Sequence, residues 1–354
     1  MLGLGIMSGS SLDGLDIALV EIDFNSSIEW QLLQGTTYPI ENNLKQKLQS
    51  ATEANPFQYA EIEYEFSKFV VDSILDFRSV NGKSEDFIAL HGHTVVHLPG
   101  YMKSVQMINA AFVAEHCQSI TVTDFRNNDM ALGGQGTPMA VLADKFLFPG
   151  NDYYLNLGGI ANISFKKKSW QAYDLFPFNQ VLNCFAQKLG FPFDEDGALA
   201  AKGQIDVNLL EALKTHKYVL KPAPKSLDNS EVKRDWIDFL ENYNLDYRLI
   251  LRTFVEFTCF HLEQLIPANS TIMITGGGTH NLHFIEQLKN KLSHKSISVH
   301  IPSQSIIEYK EAILMAFAGA LRLKEEQNFI GTATGAKNDT IGGAVYLPST
   351  YGRS

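Results

Sequence analysis

Cysteine is scarce in this chain: Cys117, Cys184 and Cys259 are the only three in 354 residues. Their odd number and wide spacing support neither a disulfide framework nor a cysteine-based zinc site, and predict small buried side chains. Long apolar runs are missing as well. None approaches the ~18 residues of a membrane span, and the start has no basic stretch followed by an apolar segment, so no membrane partner is expected and the default compartment is cytoplasmic. Positive charge is in deficit, with 29 Lys and Arg against 39 Asp and Glu and a formal net charge of −10. That balance argues against an extended nucleic-acid footprint, and the run Lys166 to Lys168 reads as a solvated turn. Two familiar nucleotide motifs are absent. Gly82-Lys83-Ser84 lacks the upstream glycine of a Walker A loop, position 77 being Phe77, and Gly3-x-Gly5 is followed by Ser8 where a dinucleotide fingerprint needs glycine.

What is present points to an α/β protein. With 45% hydrophobic and 19% charged residues the chain can bury a large core, and its length suggests two domains. Leu2, Leu4 and Ile6 alternate with Gly3, Gly5 and Met7, and Ile17 to Ile22 is aliphatic, so a strand is expected on each side of the Gly/Ser loop between them. Small residues at Ser8, Gly9, Ser10 and Ser11 let backbone N–H groups approach an anion, and Asp13 and Asp16 could hold magnesium or its waters. The same cluster is also ordinary turn chemistry. From Tyr153, YYLNLGGIANISFKKK repeats the pattern of strand, Gly/Asn turn and strand, as if the two segments were equivalent parts of two halves.

Other segments fill in the alternation. Ser67 to Leu75 has helical apolar spacing, and Phe87 to Leu90 reads as a buried strand leading into His91-Gly92-His93-Thr94. Thr271 to Thr275 predicts a strand running into Gly276-Gly277-Gly278, followed by a helix capped by Thr279 or Asn281 with Leu282, Ile285, Leu288 and Leu292 at helical spacing. Such a glycine run lets a nucleotide lie against the backbone, or makes a plain tight turn. Glu308 to Leu323 predicts a helix whose Ala316, Ala318, Gly319 and Ala320 suit close packing. Lys221 to Ser226 reads as an exposed loop, and Asp194 to Asp196 as an acidic turn before a helix near Gly197. His91, His93 and His97 have no partner cluster that would make them metal ligands.

Two strand–turn–strand loops and a later strand–Gly-Gly-Gly–helix element follow the order of the actin, hexokinase and Hsp70 ATPases. The chain resembles the anhydro-N-acetylmuramic acid kinase family nearly end to end. The resemblance is carried by Met7 to Asp16 (MSGSSLDGLD), His91 to Thr94 (HGHT), Asp124 to Arg126 (DFR), Ala131 to Pro138 (ALGGQGTP), Asn156 to Asn162 (NLGGIAN), Pro224 to Ser226 (PKS), Thr275 to Gly278 (TGGG), Thr334-Gly335 and Gly342-Gly343. It implies a two-lobed actin-like ATPase (ribonuclease H-like) fold with a nucleotide cleft between the lobes. The first lobe would hold the phosphate hairpin over 1–126 plus about 332–354. The second, 127–331, would hold the catalytic aspartate and the adenosine-side glycine motif.

The activity implied is conversion of 1,6-anhydro-N-acetylmuramic acid, ATP and water into N-acetylmuramic acid 6-phosphate and ADP, in peptidoglycan recycling. On that carry-over Gly9, Ser10, Ser11, Leu12, Asp13, Gly14, Leu15 and Asp16 bind the ATP phosphates, with Asp13 as the magnesium ligand, and Gly158, Gly159, Gly276, Gly277 and Gly278 complete the nucleotide site. Asp174 falls where the family has its general base, an aspartate activating the water that attacks C1. Arg126 is the cation expected near the transferred phosphoryl or the sugar, its alternative being a salt bridge to Asp124 or Asp129. His91, His93, Asn179 and Glu311 are expected on the substrate side, and the family suggests a homodimer. Departures concentrate on the sugar side. Leu175, Phe176 and Phe178 replace small residues, and the two phenylalanines are expected to narrow the space their loop borders unless one turns into the core; Leu227 to Ser230 replaces a Gly-Arg pair, and Gln106 to Ala111 lacks a usual Gly-Asn. A kinase for a related amino sugar and a non-catalytic nucleotide-binding relative are the alternatives, and an Hsp70-like chaperone lacks room for a peptide-binding domain.

Overall fold

The computed structural model describes residues 1–9 and 12–352, so Ser10 and Ser11 of the opening loop lie outside the described residues. The chain divides into two compact units, 1–149 with 308–354 and 150–307. In the first, β1 (Leu2–Ser8), β2 (Gly14–Asp23) and β3 (Glu29–Pro39) form an antiparallel meander, and β4 (Phe87–Leu90) joins β1 in parallel. A separate ribbon of β5 (His93–Leu98) and β6 (Lys103–Met107) follows, and β7 (Ile120–Thr123) extends the main sheet in parallel beyond β4. In the second, β8 (Tyr153–Leu157), β9 (Ile160–Lys166) and β10 (Trp170–Pro177) repeat the meander, with β11 (Thr271–Thr275) parallel to β8 and β12 (Ser298–His300) parallel to β11. The chain then returns to the first unit, where β13 (Ala344–Tyr346) closes that sheet's far edge against β7.

Counting only the strands of each main sheet, both run third, second, first, fourth, fifth with the same directions, the first adding β13 as a sixth at its far edge. The equivalence suspected between the opening hairpin and Tyr153 to Lys166 is therefore a duplicated topology: two ribonuclease H-like α/β units, as in the actin-like ATPases. The duplication also pairs the loop after β4, beginning at His91, with the triple glycine after β11. Among the described residues no helix is long and apolar enough to cross a membrane.

Alternation along β1 sends Leu4 and Ile6 into a core shared with Phe66, Val70 and Ile74 of the helix Pro56–Asn81. The glycines on the opposite face serve close approach. A Cβ on Gly5 would run into the carbonyl oxygen of Ala312, and Gly319 lies against Ala89 and Phe87, so the small face of the helix Gln304–Leu323 rests directly on the sheet. Because that obstacle is backbone, Gly5→Ala is expected to cost about 3 kcal/mol or more, read as a lowered thermal midpoint. An unchanged midpoint would show that the helix can move aside.

The unit boundaries differ from the expected 126/127 and 331/332, which both fall within the first unit. Long-range polar ties account for this. Buried Asp129 accepts from Thr334 Oγ1 at 2.7 Å and from the Gly136 amide at 2.8 Å. Asn328 bonds the main chain of Ala318 and Gly342. Residues 127–149 and 308–331 are thereby fastened to the first sheet, which also explains why ALGGQGTP and the Thr334-Gly335 pair go together.

Smaller expectations meet mixed outcomes. Cys117 and Cys259 are buried, but Cys184 is half-buried on a helix surface. Asn281 caps the helix Leu282–Ser293 while Leu282 points outward at 60% exposure, the buried stripe being Phe284, Ile285, Leu288 and Leu292. Asp194 caps the short helix Ala198–Ala201 through the amides of Leu199 and Ala200, as an acidic turn should.

Candidate active site

In the first unit the relevant groups gather at the carboxyl ends of parallel strands, where open α/β sheets bind ligands. Ser8 ends β1, His91 follows β4 and Thr123 ends β7. Among the described residues, Ser8 Oγ, His91 Nε2, Thr123 Oγ1 and the nearby Arg126 Nε are buried with no hydrogen-bond partner. Buried polar atoms are rarely left so, and each orphan costs about 1–3 kcal/mol. Three of these atoms lie at neighbouring strand ends with Arg126 beside them, so unsatisfied polar groups concentrate at one end of the first sheet.

Arg126 resolves against its plainer alternative. Asp124 is bonded by Asn127, and Asp129 is taken by Thr334 and Gly136, so neither forms the salt bridge. Desolvation pulls the guanidinium down to about 10, opposed by the charge of Glu311. His91 turns Nδ1 to the Gly92 carbonyl at 2.9 Å, and burial, followed by Arg126, pushes it down to about 3. It is therefore neutral at physiological pH. His93 is buried and lowered by burial, and His97, lowered by burial and then by Arg126, contacts Ser104. No metal-binding cluster of His, Cys, Asp and Glu exists among the described residues.

At the opening hairpin the Leu12 amide donates to the Gly9 carbonyl at 3.1 Å. Leu12, at φ 55°, and Leu15 turn their side chains into the core of the first unit. Gly14 is required because a Cβ there would collide with the Thr37 methyl. The two aspartates part company. Asp13 is exposed and paired with Lys45 at 3.0 Å, whereas half-buried Asp16 accepts from Thr37 Oγ1 at 2.7 Å. Burial raises the Asp16 carboxyl, the Thr37 bond opposes it, and Glu308 adds to the rise. Glu311 is open to solvent yet deep enough among protein atoms that desolvation dominates. It too is raised, further by Asp16, while Lys310 and Arg126 act against the rise.

In the second unit Asp174 sits on β10 where the pairing with β9 shifts register before Phe176. Its amide donates to the Lys225 carbonyl at 3.0 Å, its carbonyl accepts from Tyr218 Oη at 3.1 Å, and its Oδ2 accepts from the Leu227 amide at 2.9 Å. Burial raises its carboxyl and the Leu227 bond opposes this. The expectation that Phe176 and Phe178 narrow the space their loop borders is corrected. The register shift sends Leu175, Phe176 and Phe178 all into the core, Phe176 edge-on to Phe257 and Phe178 edge-on to Phe284.

The glycine loops of this unit interlock. The carbonyls of Gly158 and Gly159 accept from the amides of Asn179, Phe178 and Gln180, and Asn179 Nδ2 donates to the Leu157 carbonyl at 3.0 Å, so this side chain serves the turn. Gly276, at φ 88° and ψ 164°, holds a backbone only glycine adopts readily, and a Cβ on Gly278 would lie 2.6 Å from the Phe178 ring. Gly277 faces open space, its nearest neighbour being Asn179. The loop 221–226 is only partly exposed: Lys225 is buried, with Nζ donating to the carbonyls of Tyr218 and Val219. Sequence reasoning missed Thr37, Lys45, Tyr218 and the inward turn of Lys225. Only the last had a signal, the Pro-Lys-Ser string itself.

The model of the family described as anhydro-N-acetylmuramic acid kinase matches residues 1–348. An anhydro-N-acetylmuramic acid kinase from Hydrogenovibrio crunogenus is 32% identical, covering 98% of each chain, and one from a Sulfurovum species is 31% identical over 97% of this chain and 98% of its own. Among solved structures, the activator of the 2-hydroxyisocaproyl-CoA dehydratase from Clostridium difficile with bound ADPNP is similar at a TM-score of 0.44 and 11% identity, over 92% of this chain and 97% of that one. With the family model matched over residues 1–348 and a relative 32% identical across 98% of both chains, the chain belongs to the anhydro-N-acetylmuramic acid kinase family.

Proposed function

We propose that this enzyme converts 1,6-anhydro-N-acetylmuramic acid, ATP and water into N-acetylmuramic acid 6-phosphate and ADP, in the ATP-containing cytoplasm and as a step of peptidoglycan recycling. The observation that carries the reading is Asp174, held by two hydrogen bonds at its main chain and one from the Leu227 amide to Oδ2, with the other carboxylate oxygen, Oδ1, bonded to no described residue. Attack of water on the anomeric carbon needs an acceptor for its proton, and a positioned carboxylate supplies one. As the C1–O6 bond breaks, O6 takes the γ-phosphoryl, so its charge is captured as it forms.

Phosphoryl transfer asks mainly for positioning and charge neutralisation. The backbone of Gly9 and Leu12 to Asp16, with the loops at Gly158, Gly159 and Gly276 to Gly278, is assigned to the nucleotide. Arg126 is assigned to the transferred phosphoryl or the sugar's anionic group, with neutral His91 and His93 offering uncharged ring nitrogens to sugar hydroxyls. Asp13 is exposed and already paired with Lys45. We therefore give magnesium, or its waters, to Asp16, whose negative surroundings of Glu308 and Glu311 favour a cation. When bound the ion would neutralise phosphate charge.

Incubation with Mg-ATP and the anhydro sugar, with products weighed by mass spectrometry, tests this. The expected product gains one phosphoryl group and one water over the substrate. Gain of a phosphoryl group without water would refute ring opening, and phosphorylation of a different amino sugar alone would move the assignment to that substrate.

A further inference from the structure

The three bonds that hold Asp174 all come from one segment, 218–227, and that segment is folded around a buried lysine. Lys225 turns inward, its ammonium donating to the Tyr218 carbonyl at 2.9 Å and the Val219 carbonyl at 3.1 Å, 4.7 Å from the centroid of the Tyr218 ring. No carboxylate pairs with it among the described residues, and burial, then Lys221, lowers its pKa. A buried ammonium is costly, and neutral acceptors compensate it only incompletely. Its neighbours show what it organises. The Tyr218 hydroxyl reaches Asp174 O, Lys225 O receives the Asp174 amide, and two residues on Leu227 N–H grips Oδ2. Beyond Leu227, Asp228 and Glu231 form a reciprocal capping box, and Asn229 Oδ1 accepts from Gln180 Nε2 at 3.0 Å, fastening the same segment beside the Gly159 loop.

We propose that Lys225 is a positioning residue, an internal peg whose two carbonyl contacts fix the Tyr218–Leu227 loop and thereby the direction in which Asp174 presents its free oxygen. The assignment rests on Asp174 being the base. It also accounts for tolerance of the Leu227 to Ser230 departure: the grip uses the Leu227 backbone, which any residue but proline supplies, while the peg lies upstream of the changed residues.

Two measurements on the full chain test this separately. Lys225→Met keeps the length and apolar stem but loses the donors. Amide hydrogen exchange over 222–230 is expected to quicken about tenfold, and kcat for the anhydro sugar to fall about 10²-fold, with the affinity for ATP unchanged. Lys225→Arg, which retains charge and donors, should restore most of the loss. If Lys225→Met does not fold, Tyr218→Phe removes only the hydroxyl on Asp174 O and should lower kcat without raising the KM for ATP. Exchange over 222–230 unchanged in a folded Lys225→Met overturns the peg, whatever the activity. So does an unchanged kcat in both Lys225→Met and Tyr218→Phe. A wild-type protein that fails to turn over the sugar instead refutes the proposed reaction, and the exchange experiment still decides the peg.

Discussion

Asp174→Asn is expected to lower turnover about 10²- to 10⁴-fold, leaving nucleotide affinity within a few-fold. The amide keeps an oxygen that can accept from Leu227 N–H, so the loop should stay in place while the proton acceptor is lost. Two pH effects accompany this. Burial holds the Asp174 carboxyl above its ordinary value of 3.8, so the acid limb of kcat in the wild type should lie above that value, activity falling as pH drops through it. For stability the sign is opposite. A carboxyl whose folded pKa is raised contributes stability that is full below its unfolded pKa and lost as pH rises through the folded one. At neutral pH the ionised form is therefore a burden, and Asp174→Asn should leave the melting midpoint unchanged or raised. Titration curves of kcat and thermal midpoints measure both. A comparable loss of ATP binding would mean that Asp174 serves the nucleotide.

Arg126→Met should cost about 10²- to 10³-fold in kcat/KM, the range seen when one preorganised donor to developing charge is removed. The expectation follows from the cost the protein carries there. A guanidinium desolvated with its Nε unpartnered persists where a ligand completes it, and the two aspartates that could have neutralised it are bonded elsewhere. Arg126→Lys should recover little, since a point charge cannot reproduce the fork. Loss of the guanidinium also removes a downward influence on His91 and His97, but burial is the larger cause at both, so His91 stays neutral. Steady-state kinetics decide: a variant within tenfold of wild type would make Arg126 a structural cation.

The strands and both glycine loops were legible because their signals are local. Alternation in β1, the aliphatic run of β2 and the repeated strand–turn–strand at Tyr153 need only a few residues each, and a glycine run after an apolar strand reads the same wherever the chain goes next. The fate of Phe176 and Phe178 was not legible. It turns on a register shift between β10 and β9, and slipping by one residue exchanges the faces of every side chain beyond it. Lys225 escaped for a related reason: a Pro-Lys-Ser turn looks solvated until the carbonyls that receive its ammonium are known. Asp13 in the loop and Asp16 on β2 are three residues apart, yet Thr37 and Lys45, which separate their roles, come from more distant elements. The unit boundaries were hidden because Asp129 with Thr334, and Asn328 with Gly342, join segments whose composition changes nowhere along the way.

The divided first unit has a consequence for synthesis. Residues 150–307 form a contiguous body that has all its strands once the ribosome has passed them. The first sheet, begun earliest, waits for the helix Gln304–Leu323 to cover Gly5 and for β13 to pair with β7. The opening phosphate hairpin, made within the first 23 residues, thus emerges first and is finished nearly last. In the interval β1 and β4 lack the helix that covers them and β7 has an unpaired edge, so this nascent stretch is the one most in need of a chaperone.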